Sequence, residues 1–337
     1  MRQFFDMSRA ARLCGVALAA LFLTLAFNAD TRAQAGRSAT RVWVSAATGS
    51  DTNPCTRAAP CRDLSSAVSA VADDGEVVIL DSGGYDAVEI TKSVQIIAPE
   101  GVHAVIAPTE GITVPGGLNG DTTAVLVNAP DATVVLRNLT VNKHQAVDSA
   151  IRATAVGTLH IEGCILNGID NIDTGHAAIY FGASGRLMVR DTTARNNGIG
   201  IFVVAPAGGP ARASIDRCRL DGNDYGVFVT SNARATVSHT VATDGGIAGF
   251  TVSSSGPAAE LSCDNCVASN FASGTGFIRS GGAGAVMRVA RSVATNNHYG
   301  FFNSGVGKFK SLAGTNMVDG NETNRAGQIT TFSPDAP

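Results

Sequence analysis

The sequence predicts an all-β fold, a right-handed parallel β-helix of about ten coils with a short N-terminal capping helix. Three observations predict it. A short unit of strand, polar corner and closing small or Asn residue recurs, as in RASIDRCRLDGN from Arg212, RLMVRDTTARNN from Arg186 and RATVSHTVATDG from Arg234. Two columns of apolar residues keep one common period. Helical periodicity stops at Glu76 and does not return.

The N-terminus reads as a secretory signal. Arg2, Arg9 and Arg12 give a basic start, Leu13 to Phe27 is apolar, and Ala33-Gln34-Ala35 is a small-x-small cleavage site. That apolar run is shorter than the ~20 residues a membrane-spanning helix needs. Residues 1–35 are therefore expected to be removed near Ala35, and the protein to be secreted or periplasmic. No later stretch is long and apolar enough to span. Cys14 leaves with the signal. Cys55 and Cys61 flank NPCTRAAPC and are expected to pair, because export permits disulfides. Closing so short a loop contributes roughly 2 kcal/mol on the chain-entropy model.

Residues 36–75 hold the N-terminal elements. Arg41 to Ala46 reads as a strand anchored by Trp43, and the disulfide loop follows. Asp63 is placed to cap a helix in which Leu64, Ala67, Val68 and Val71 recur at i, i+3, i+4 and i+7. A single apolar stripe on so short a helix suits a lid over the open end of a solenoid.

Residues 76–325 hold the coils. VVIL, VEI, VQII, AVIA, ITV and AVLV follow one another, separated by Gly, Asp, Asn and Pro, without hairpin spacing. The last apolar residue before each corner is Leu136, Ile161, Val189, Ile215, Val237, Cys263 or Val289. A second column is Ile151, Ile179, Ile201, Val227, Phe250, Phe277 and Phe301. Both columns advance by about 25 residues, a repeat architecture. The period is too short for a four-stranded propeller blade, and an antiparallel sandwich gives turns every 8–12 residues but no such register. Coils stacked at ~4.8 Å make a rod of order 50 Å. Right-handed crossovers are the rule for parallel strands. Residues 326–337 form a C-terminal tail.

The composition agrees and bounds the function. Hydrophobic residues are 45%, charged residues 16%, and there are 38 Gly. Strands and tight turns suit that balance. A net charge of −3 gives no footprint for nucleic acid.

The rung pattern resembles the right-handed parallel β-helix repeat of the pectin-lyase-like superfamily. VSAATGSDTNPCTRAAPCRDL, GEVVILDSGGYDAVEITKSVQIIAPEG and GTNMVDGNETNRAGQITT together resemble a group of uncharacterised exported bacterial β-helix proteins. The resemblance covers nearly the whole mature chain and implies fold and export, with no established activity. Enzymes of that superfamily carry signatures that are absent. Gly84-Tyr85 with Glu89-Ile90 is similar to the first-coil pattern of pectin methylesterases, but no DFIFG-like run follows. The polygalacturonase set and the DPHD of alginate epimerases are missing as well.

Several side chains outside the core columns carry chemistry. Stacking is expected to bring Arg190, Asp216, His239 and Asp264 into one polar stripe at the corner, a set suited to acid–base work. The bland alternative is a solvated corner of alternating charge. Tyr180, Tyr225 and Tyr299 stand beside the second column and are candidate contacts for a sugar. Cys164, Cys218 and Cys266 share a column with Thr and Ser and read as small buried residues. Cys263 and Cys266 have CxxC spacing without a partner pair, so they too read as structural. Asn142, Asn167, Asn196, Asn223, Asn270 and Asn296 read as corner residues, either left-handed or stacked.

The function expected from these features is an exported non-catalytic scaffold that meets a polysaccharide or a cell-surface protein along one long face. The alternative is a polysaccharide lyase or glycoside hydrolase. No cofactor or metal site is legible. Calcium on the corner carboxylates is the one cation the pattern admits.

Overall fold

The computed structural model describes residues 39–117, 120–142, 147–169, 176–206 and 209–333. The expected signal segment lies outside the described residues. Among them no helix is long and apolar enough to cross a membrane.

The chain is a right-handed parallel β-solenoid. Each coil contributes three strands. In the first regular coils, Thr122–Arg137 and Ser149–Glu162 run unbroken across two faces. In later coils they are interrupted at the bend, as in Ala177–Phe181 followed by Arg186–Arg190. A third, short strand such as Thr193–Arg195 closes the coil. The third face is a sheet of ten strands, all parallel. Its members Gly83–Tyr85 and Ala104–Ile106 belong to irregular early coils. At the far end, Met317–Val318 has only two residues. About seven full turns result, fewer than the ten expected from chain length. Ile112–Thr113 departs from the pattern by pairing antiparallel with Thr122–Thr123. Parallel pairing continues beyond residue 325, because Ile329–Phe332 adds to Lys308–Leu312.

Both apolar columns are true registers. Ile151, Ile179, Ile201, Val227, Phe250, Phe277 and Phe301 pair in succession on the first face. Leu136, Ile161, Val189, Ile215, Val237, Cys263 and Val289 do so on the second. All fourteen are buried in one continuous core. Phe250 stacks on Phe277 at 4.9 Å, and Phe277 meets Phe301 edge-on at 5.3 Å. Glycines precede the first-face column because coils touch there. A Cβ on Gly226 would lie 2.4 Å from the Gly249 carbonyl oxygen.

The corner between second and third faces explains the cysteine column. Its first residue is left-handed in each coil: Asn138, Gly163, Asp191, Arg217, His239, Asn265 and Arg291. The next residue points inward. Cys164, Cys218 and Cys266 each donate from sulfur to the carbonyl two residues back. One coil on, Thr192, Thr240 and Ser292 accept their backbone N–H groups at 3.3, 3.3 and 3.1 Å. A hydroxyl accepts well and a thiol poorly, so each cysteine is followed by a hydroxyl. Thr240→Val should therefore orphan the Cys218 N–H and cost about 1–3 kcal/mol in urea unfolding. Burial pushes the Cys164 thiol up to about 11 and the Cys218 thiol up to about 12. Thiolate is the reactive form. Native protein at pH 8 should therefore leave Cys164, Cys218, Cys263 and Cys266 unlabelled by a thiol reagent, and unfolded protein should label all four.

The Asn residues fall in three registers. Asn196, Asn270 and Asn296 are left-handed, with φ of 55°, 61° and 55°. Asn142 and Asn167 instead end strands. Asn223 belongs one register later, in a buried ladder where Asn197 Nδ2 donates to Asn223 Oδ1 at 2.8 Å. Asn297 and Asn321 repeat that bond at 2.8 Å. Between the two pairs stand Gly245 and Phe271. A Cβ on Gly245 would lie 2.3 Å from the Phe271 ring, so the glycine is what admits the ring.

The N-terminal end is closed as expected, with two differences. Leu64–Ala70 is helical and buries Leu64, Ala67 and Val68 in the solenoid core. Asp63 stands at the N-cap but its side chain makes no capping bond. Asp51 Oδ1 accepts from the Arg62 and Asp63 N–H groups instead, and Val71 already belongs to a strand. Cys55 and Cys61 form a disulfide.

Candidate functional site

The corner stripe assembles only in part. Arg190, Asp216, Ser238 and Asp264 share one register, whereas His239 is the left-handed residue one place later. Asp216 is the hub. Its carboxylate accepts from Arg217 at 2.6 Å, Ser238 at 2.8 Å and His239 Nδ1 at 3.1 Å, with Arg190 at 4.0 Å. Against the opposing effect of burial, the bonds from Ser238 and His239 and the Arg217 charge hold Asp216 below the usual carboxylate range. Arg217 also grips Asp191 with two bonds, at 2.8 and 3.0 Å. Asp264 is not part of the hub; it pairs with Arg291 at 2.5 Å. A shallow groove of about 150 Å³ lined by His160, Glu162, Met188, Arg190, Ser214 and Asp216 runs beside the stripe. Its charges answer one another. This is what a solvated corner of alternating sign looks like.

The outer side of the first face is chemically different. Inward residues there alternate with outward ones, so the residue after each column member points away from the core. These are Arg152, Tyr180, Phe202 and Phe228 in successive coils. Tyr225 stands in the neighbouring outward register with Ala177 and Ile199. Ala177, Ile199 and Phe202 form an apolar cluster separate from the core, flanked by half-buried Tyr180, Tyr225 and Phe228. Tyr180 meets Phe202 at 5.3 Å, Phe202 meets Phe228 at 5.3 Å, and Tyr225 meets Phe228 at 5.1 Å. Two of the expected tyrosines thus share one aromatic strip. Tyr299 lies further along, stacked on Phe302 at 4.8 Å and beside His298.

A polar cluster adjoins the Tyr180 end of this strip. Asp121, Asp148 and His176 come from three successive coils, just before the strands that begin at Thr122, Ser149 and Ala177. Arg152 Nη1 donates to Asp121 Oδ2 at 3.0 Å, and its guanidinium lies 4.0 Å from the Tyr180 ring centre. Asp148 Oδ2 accepts from Thr122 N at 2.9 Å and from Thr122 Oγ1 at 3.0 Å. His176 Nε2 faces the other oxygens, 3.5 Å from Asp148 Oδ1 and 3.8 Å from Asp121 Oδ1. One donor atom from each of the three lies within 4.8 Å of the others, a group able to hold a metal ion. The sequence reading anticipated no metal site and did not single out these residues. A signal existed. Asp148, His176, Asp224 and His298 all stand three residues before a first-face column member.

Asp224 continues that series beside Tyr225. Burial raises its carboxyl above the ordinary value. An acid with a raised folded pKa resists ionising, so it stabilises the fold least once pH exceeds that value. Asp224→Asn should raise unfolding stability at pH 7 and leave it unchanged near pH 3, as followed by thermal melts.

Residues 123–322 match the family described as the right handed beta helix region. The chain belongs to the right-handed β-helix family. No curated protein matches this β-helix by sequence. Among solved structures it is similar to a GH136 lacto-N-biosidase from Eubacterium ramulus, at 11% identity and a TM-score of 0.42, over 87% of this chain and 67% of that one. It is also similar to pectate lyase Pel9A, at 14% identity and a TM-score of 0.43, over 90% and 79%. Both likenesses are of the coil alone.

Proposed function

We propose that this β-helix is exported and binds a glycan along the outer side of its first face, cleaving a glycosidic bond at the Asp121–Asp148–His176 cluster. The observation that carries the reading is the abutment of that cluster on the Tyr180–Phe202–Tyr225–Phe228 strip. Aromatic edges and faces give a sugar an apolar floor while polar tips meet its hydroxyls. Cleavage needs proton transfer to the leaving oxygen and stabilisation of positive charge on the ring, tasks of paired carboxylates. Elimination would need a basic side chain next to the sugar. His176 is the side chain that elimination would use as its base, and the two neighbouring carboxylates are what favour hydrolysis.

A non-catalytic scaffold is the second reading. It is favoured by the self-paired corner stripe and by the outward Ser214, Thr236 and Ser262 of the second face. A glycan panel separates the two, with binding and release of new reducing ends followed together. Release that disappears in Asp148→Asn supports hydrolysis at the cluster. Binding without release on any glycan supports the scaffold.

A further inference from the structure

We propose that Asp121, Asp148 and His176 form a binding site for one divalent first-row transition-metal ion, of the zinc, cobalt or manganese kind. Each carboxylate divides its two oxygens between the protein and the centre of the cluster. Asp121 Oδ2 is taken by Arg152, and Asp148 Oδ2 by the Thr122 N–H and hydroxyl. The two Oδ1 atoms are left facing His176 Nε2. Ligating carboxylates are characteristically held this way, one oxygen fixed by protein donors and the other presented to the metal.

The distances carry the second step. Separations of 3.5 and 3.8 Å are too long for hydrogen bonds. Donors about 2.1 Å from a tetrahedral ion lie about 3.4 Å apart. The nearer separation matches that edge, and the further one needs a shift of a few tenths of an ångström. One donor atom from each of the three residues lies within 4.8 Å of the others.

The third observation is the unmet demand of the buried groups. Asp121 is 8% exposed, and among the described residues Arg152 donates to its carboxylate, on Oδ2. His176 is 13% exposed, and among the described residues neither ring nitrogen makes a hydrogen bond, with Nδ1 buried. Buried polar atoms are ordinarily satisfied. An ion at the shared point satisfies Asp121 Oδ1, Asp148 Oδ1 and His176 Nε2 at once.

The donor set also selects the ion. Calcium takes six to eight oxygens and does not suit an imidazole-bearing triad. Imidazole with two carboxylates suits zinc and its neighbours. Three protein ligands leave a position open, and Asp148, a third exposed, is the most accessible of the three. An ion held there would take the two carboxylates as ligands and would supply an activated water in place of their own acid–base role. That consequence rests on the hydrolytic reading above, whereas ion binding does not.

The test titrates metal-free full-length protein with Co²⁺ and follows its visible d–d absorption, with Zn²⁺ as competitor and Ca²⁺ as control. One equivalent of Co²⁺ is expected, displaced by Zn²⁺ and not by Ca²⁺. His176→Gln should weaken binding by about 100-fold or more, and Thr122→Val, which removes one of the two donors holding Asp148, by about 10-fold. Circular dichroism of the metal-free variants checks that each is folded; should His176→Gln fail to fold, Thr122→Val decides. No Co²⁺ binding by the wild type, or equal binding by the folded variants, overturns the site. Glycan cleavage without ion binding would overturn the metal and leave the hydrolytic reading. Ion binding without cleavage would do the reverse.

Discussion

Arg279→Ala is expected to lower the unfolding free energy by about 3–5 kcal/mol, the sum of a core cavity and of carbonyls left without donors. Arg279 occupies the inward register that Val203, Val229 and Val252 fill in earlier coils. It is fully buried, and no carboxylate is among its partners. Its guanidinium donates to Ala285 O at 3.3 Å, Asn303 Oδ1 at 3.1 Å and Gly281 O at 2.8 Å, and also to Gly282 O. Burial lowers its pKa, the direction expected of a cation removed from water. Asn303, one coil on, donates to Gln328 O at 2.6 Å. Together they form a polar plug where that valine register ends, tying the Gly281–Gly282 bend to the next coils. Arg279→Met keeps the packed stem and loses only the donors, so it should cost less than Ala. Urea unfolding of the two variants measures the difference, and equal costs would place the whole effect in the lost hydrogen bonds.

Asp148→Asn should reduce turnover on a responsive glycan by about 10²–10⁴-fold, the usual contribution of a positioned acid–base group. The substitution is nearly isosteric and keeps an oxygen for the Thr122 donors, so the fold should be retained. Asp216→Asn is the matched control. That carboxylate is also hydrogen-bonded, but its partners are corner residues on another face. Turnover should survive there. Loss in Asp216→Asn with retention in Asp148→Asn would move the site to the corner stripe.

The solenoid was legible because its determinants are periodic. Leu136 through Val289 and Ile151 through Phe301 need only be aligned to reveal the registers. The Gly226–Gly249 contact and the alternation of Cys218 with Thr240 then follow from stacking. The cluster was harder to see because it is made by differences between coils. Asp148 and His176 stand where Gly198 and Gly274 stand elsewhere, and Asp121 is displaced by one residue at its corner. Phe202 and Phe228 follow core residues directly, and only strand alternation separates outward from inward rings. Arg279 departs from a valine column in a single coil. His239 stands beside the stripe and not in its register, because it is the left-handed corner residue after Ser238.

The location of the site is tested most directly by hydroxyl-radical footprinting with and without a panel glycan that binds. Tyr180, Tyr225 and Phe228 report on the first face, and exposed Met188 reports on the groove beside the corner stripe. Protection of Tyr180, Tyr225 and Phe228 with Met188 unchanged is the predicted result. Protection of Met188 with the three aromatic side chains unchanged would contradict the account.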